Sequence, residues 1–131
     1  MTTYRDVFRA VDPELDGWIP QPVFDEAVQA VESDADLQAY VADKSAHADD
    51  VAPYSGYDLY SSLIAILVTA KAVWSTVEFA DKVSSLALDH NAKLALAEKI
   101  VLHLRQAGMN YSANRIQKWI DRILEKITNP K

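Results

Sequence analysis

Cysteine is absent from the 131 residues, which excludes disulfides and any cysteine-based zinc or redox site. That absence says nothing about compartment. Glycine is scarce, with three residues, and a sheet-rich fold would need more turn residues. The opening residues, MTTYRDVF, lack a basic segment followed by an apolar one, so no signal peptide is expected and the expected location is cytoplasmic. No GxSxG elbow, phosphate loop, dinucleotide fingerprint or HExxH motif occurs. His47, His90 and His103 stand apart, and none forms the i, i+4 pair of a helical metal site. Asp89 and His90 are adjacent, so on a helix their side chains would diverge. Ser61, Ser62, Ser84 and Ser85 have no base placed beside them. The expectation is a protein with no cofactor, no metal and no enzymatic activity.

What is present points to helices. Half the residues are hydrophobic and 24% are charged, a globular balance at the size of one domain. Tyr4, Val7, Phe8 and Val11 recur at helical spacing. Pro22 suits the first turn of a second helix, with Asp25 and Glu26 near its positive end and Val23, Phe24, Ala27, Val28 and Val31 as its apolar stripe. Asp34 is placed to cap a third helix carrying Leu37, Tyr40 and Val41. Residues 47–58, with proline, glycine and serine, read as a loop. A long helix follows, and then another that Gly108 stops, with Arg105 in its last turn. Residues 84–91 leave open whether the long helix breaks. Ser112 caps the last helix, whose stripe is Ile116, Trp119, Ile120, Ile123, Leu124 and Ile127. The expected fold is all-α: a single-domain bundle of five or six helices, residues 1–131, with a long central helix. It divides into an acidic N-terminal part, 1–56, and a longer-helix C-terminal part, 57–131.

One apolar run, residues 63–80, is long enough to raise the question of a membrane. Lys71 lies in its middle, and a central lysine costs about 2.5–3.5 kcal/mol on insertion. Lys71, Ser75, Glu78 and Lys82 share one helical face, which is expected to meet water. Leu63, Leu67, Ala70, Trp74 and Val77 share the other. No integral membrane insertion is expected.

Residues 12–23 carry acids in the order of a calcium loop. An EF-hand places oxygen ligands at loop positions one, three and five, glycine at six, an apolar residue at eight and a bidentate glutamate at twelve. The stretch resembles that family through Asp12, Glu14, Asp16, Gly17 and Ile19, with Phe8 and Phe24 at the flanking helix anchors. It departs from the pattern at Glu14, which is long, at Pro20, and at Val23, which stands where glutamate should. A turn between helices, rich in acids and closed by prolines, accounts for the same letters without calcium.

Charge is divided unevenly. Residues 1–56 hold three basic and twelve acidic groups, and residues 57–131 hold ten and seven. The halves therefore either attract each other within the fold or leave an acidic docking face. The C-terminal pair of helices, around residues 108–122, looks like a helix-turn-helix in outline, with Asn114, Arg115, Gln117 and Lys118 opening the second helix. Asn114, however, falls where a buried aliphatic residue is expected. Trp74 and Trp119 read as core. Trp18, Tyr54 and Tyr57 read as contact residues, because tyrosine and tryptophan bury large area while keeping a polar tip.

The sequence thus favours a non-enzymatic protein–protein interaction module, such as a small acidic inhibitor, immunity or adaptor protein, whose partner presents a basic face. Its expected contact residues are Trp18, Glu32, Asp34, Asp36, Tyr54 and Tyr57. Self-association into a homo-oligomer is a further option, and nucleic acid is not the expected partner. The alternative is a DNA-binding regulator using residues 108–122, followed by catalysis from scattered residues and by a degenerate EF-hand-like calcium module at 12–23.

Overall fold

Thr3 starts the first helix by a reciprocal cap. Its Oγ1 accepts from the Asp6 amide at 3.2 Å, and an Asp6 carboxylate oxygen accepts from the Thr3 amide at 3.2 Å. The hydrogen bond to the Thr3 backbone, more than any other contact, holds the Asp6 carboxyl below the usual carboxylate range. The computed structural model describes residues 3–46, 56–80 and 90–128. Every element among them is helical: α1 (Tyr4–Val11), α2 (Pro13–Asp16), α3 (Gln21–Glu32), α4 (Leu37–Ala46), α5 (Gly56–Ala80), α6 (His90–Gln106) and α7 (Ala113–Thr128).

The seven helices exceed the expected five or six because the acidic turn is itself helical. Asp12 accepts from the Leu15 amide at 2.9 Å and Pro13 occupies the first turn, which together suffice for the single turn of α2. Pro22 does lie in the first turn of α3, but that helix begins at Gln21 and its first turn holds no acid. Asp25 and Glu26 therefore sit one turn too late to complement the helix dipole.

The cap expected of Asp34 belongs to Asp36, whose Oδ1 accepts from the Ala39 amide at 3.2 Å. Asp34 instead closes α3 in the left-handed conformation, with φ 55°. The Ala35 amide donates to Ala30 at 3.1 Å and the Asp34 amide donates to Val31 at 3.4 Å. This is the six-to-one and five-to-two pairing that ends helices on a left-handed residue. Gly108 closes α6 with the same pair of bonds, Met109 to Leu104 at 2.8 Å and Gly108 to Arg105 at 3.0 Å, at φ 85°. A Cβ there would also crowd the exposed Gln38 side chain, whose Nε2 would lie 2.9 Å away and can swing aside, so the positive φ is the main reason for glycine. Ser112 Oγ then accepts from the Arg115 amide at 3.2 Å and starts α7 as expected.

α5 is the longest helix, at 25 residues, and packs against α1, α3, α4, α6 and α7. Leu59, Leu63, Ile64, Ala65, Ile66, Leu67, Ala70 and Val73 on it are buried. Burial on so many sides explains the absence of a clean stripe. Within it Leu59–Thr76 is long and apolar enough to cross a membrane by length and composition, and 67% of that span is buried inside the fold. Lys71, on the face expected to meet water, reaches sideways: its Nζ donates to the Val31 carbonyl at 3.0 Å and lies 3.5 Å from Asp34 Oδ1. The side chains of Val77 and Glu78, and all of Lys82, lie outside the described residues, as does the question of a break between 81 and 89. α6 begins at His90.

α1 and α7 pack on each other as well as on α5. Phe8 meets Phe24 edge-on at 5.6 Å, and Tyr4 meets Trp74 edge-on at 4.4 Å. Trp74 is thus half-buried rather than fully in the core. The Tyr4 hydroxyl donates to a Glu32 carboxylate oxygen. Burial first, and that bond second, hold the phenol protonated well above its ordinary range. In the unfolded chain the phenol ionises near pH 10, so its contribution is complete below that pH and is lost as pH rises beyond it. Urea denaturation across this range should show stability falling above about pH 10, and Tyr4→Phe should flatten the fall. An unchanged slope in the variant would remove Tyr4 from the cause.

Candidate functional site

The acidic turn is organised around an arginine. Arg5, projecting from α1, places Nε 2.7 Å from Asp16 Oδ1, and its Nη2 donates to the carbonyls of Ile19 at 3.1 Å and Asp16 at 3.3 Å. Its guanidinium lies 4.7 Å from the centre of the Phe24 ring. Arg9 Nε reaches the other Asp16 oxygen at 3.1 Å. Asp12 is turned to the Leu15 amide, while Glu14 is exposed. Gly17, at the sixth position, has φ −66° and ψ −16°, open to any residue. The oxygens of this turn thus gather on a guanidinium fork and a backbone amide. Among the described residues no three His, Asp or Glu side chains converge as a metal site would require.

The expected contact residues fall at different places. Trp18, 44% exposed, stands before α3, its amide donating to the Leu15 carbonyl at 2.9 Å. Glu32, Asp34 and Asp36 are exposed at the other end of α3. That helix, 12 residues long, separates them by roughly 18 Å, so Trp18 and the three acids do not form one patch. Among the described residues Glu32 is engaged by Tyr4 and Asp34 by Lys71, while Asp36 caps α4. Tyr57 lies in the first turn of α5, with its side chain outside the described part, and Tyr54 is outside the described residues altogether.

The left-handed backbone of Asp34 yields a test. The Cβ of a left-handed residue costs about 1–2 kcal/mol, partly relieved for aspartate, and its exposed ion pair returns about 0–1 kcal/mol. Asp34→Gly should therefore stabilise the fold by about 0.5–1 kcal/mol in chemical denaturation. A loss of stability would show that the Lys71 contact outweighs the backbone strain.

A groove of about 590 Å³ runs between the α1–α2 corner and α7. One wall carries Asp12 and Glu14, the other Arg115, Lys118 and Arg122, with Trp119 and Val11 between them. Arg122 Nη1 donates to the Val11 carbonyl at 2.6 Å. The Arg115 guanidinium lies 5.1 Å from the Tyr111 ring and 5.4 Å from that of Trp119. Asn114, Arg115 and Lys118, the residues that would read bases in a helix-turn-helix, are exposed on α7. They line this groove opposite two carboxylates, which would repel a phosphate backbone.

Charge pairing within the fold is mostly local. Arg5–Asp16, Arg9–Asp16 and Lys44–Glu26 stay within residues 1–56, and Lys93–Asp121 within 57–131. Among the described residues Lys71–Asp34 is the ion pair that joins the two parts. Sequence reading missed Arg5 and Arg122 because both act on partners distant along the chain, and it offered no signal for either. Compared with known proteins, the chain matches no protein-family model, no curated protein and no solved structure.

Proposed function

We propose that this chain is a non-enzymatic interaction module, a soluble helical bundle in one domain around α5, whose acidic part engages a protein with a basic face. One observation carries the reading. Residues 1–56 have a net charge of −9, and Glu14, Asp25 and Asp36 on that part are exposed without an ion pair among the described residues. Such a field steers a basic partner and repels an acidic one. An inhibitor, immunity or adaptor role follows the same physics, and the acid wall facing Arg115 and Lys118 argues against the DNA-binding alternative.

The test is kinetic. A partner recovered from the native host should associate about tenfold or more faster at low salt than at high salt. Asp34→Asn with Asp36→Asn should slow association while keeping the cap of α4 and the left-handed turn, both of which asparagine tolerates. Glu32 is left intact in that variant because Tyr4 bonds to it. Salt-independent association would sink the proposal. Tight DNA binding lost in Arg115→Ala and Lys118→Ala would replace it with the alternative.

A further inference from the structure

α5 and α6 meet along a seam that they do not fill. On α5 Val68, Ala72 and Ser75, and on α6 Leu96, Ile100 and His103, recur at the three-and-four spacing of one helical face. Between the two faces lies a groove of about 270 Å³. Its floor is aliphatic: Val68 and Ile100 are buried, with Ala72 and Leu96 half-buried beside them.

The charge around that floor is mostly of one sign. Lys71 comes from α5 and Lys99 from α6, and His103 adds an imidazole one turn beyond Lys99. Among the described residues Asp34 is the one carboxylate in the lining, and Lys71 Nζ already answers it at 3.5 Å. Lys71 is further committed to the Val31 carbonyl at 3.0 Å. Lys99 and His103 are exposed, and neither has an ion pair among the described residues. In a chain with net charge −6, this groove thus keeps a cation and a further N–H donor uncommitted beside an apolar floor.

We propose that the groove binds a small amphipathic carboxylate, a free medium-chain fatty acid. Its alkyl chain lies on Val68, Ala72, Leu96 and Ile100, and its carboxylate accepts from Lys99 and His103. The aliphatic floor rewards hydrocarbon, since each methylene taken out of water multiplies affinity by up to about fourfold. The cations select the head group: an amine on the same chain would meet Lys71 and Lys99 instead of a counter-charge. The groove is slightly smaller than the roughly 300–1,000 Å³ that holds a drug-sized ligand, which sets the chain short. This site goes beyond the acidic-module reading, and either can fail without the other.

The test titrates the full chain by calorimetry with sodium octanoate below its micelle concentration. Octanoate should bind, and hexanoate, two methylenes shorter, should bind about fourfold or more weakly. Octylamine, with the same chain and the opposite charge, should bind at least tenfold more weakly than octanoate. Lys99→Glu, at an exposed position, should cost octanoate at least tenfold, and Ala72→Leu, which fills the floor, should do the same. Circular dichroism shows that each variant folds, and Lys99→Glu alone decides the matter if Ala72→Leu does not. Octanoate and octylamine binding alike would overturn the proposal. So would octanoate binding untouched by Lys99→Glu, or no binding at all. Co-sedimentation with phosphatidylglycerol vesicles, without binding of the free acid, would assign the groove to a membrane surface and overturn it likewise.

Discussion

Trp119→Ala should destabilise the fold by about 3–5 kcal/mol, while Trp18→Ala should cost no more than about 1 kcal/mol. Trp119 is 6% exposed on the inner stripe of α7, among Ile116, Ile120 and Ile123, all fully buried. Its ring is tilted 54° against that of Tyr111 at 5.3 Å. Alanine would leave a void beneath the groove between α2 and α7, and would strip Arg115 of one of its two aromatic faces. Both ends of that groove are helices that must stay in register, so little collapse can fill the space. Trp18 keeps nearly half its surface in water, and its backbone rather than its ring is tied to Leu15. Equilibrium denaturation of both variants decides the matter. Equal losses would move Trp18 into the core and out of any contact surface.

That contrast shows where the sequence is legible. The stripe of α7, the stop at Gly108 and the cap at Ser112 are local signals: each depends on residues within one or two turns, and each matches the structure. α2 escaped because four residues are too few to show a period, although Asp12 and Pro13 are an ordinary start signal. Asp34 and Asp36 were exchanged because either acid suits a cap. What separates them is the left-handed closure of α3, set by bonds back to Ala30 and Val31. Of the expected contact residues, exposure of Trp18, Glu32, Asp34 and Asp36 was readable from polarity and loop context. Their division between the two ends of α3 follows from tertiary geometry, and so does the commitment of Glu32 to Tyr4 from 28 residues away.

Arg5→Ala should cost about 2–3 kcal/mol, somewhat below the full range for breaking a buried ion pair. Asp16 is 12% exposed, and Arg9 remains to neutralise it when Arg5 is gone. The larger part of the loss is the Ile19 carbonyl, which would lose its Arg5 donor, while the Asp16 carbonyl would fall back on its 3.4 Å bond from the Ile19 amide. Arg5→Lys should recover only part of it, since an ammonium cannot serve a carboxylate and two carbonyls in the plane of one fork. The same geometry decides how the turn responds to calcium. A hard divalent cation needs about 6–8 oxygens. Here Asp16 is held by two arginines, Asp12 caps α2, and Val23 supplies no oxygen. Calcium would have to displace a tethered guanidinium whose effective concentration is fixed by α1. Melting temperature should therefore be the same in millimolar calcium and in excess chelator, for the natural chain and for Arg5→Ala alike. A calcium-dependent rise in the natural chain, abolished by Asp12→Ala, would establish a metal site. A rise confined to Arg5→Ala would mean that the arginine occupies a site the carboxylates can still form without it.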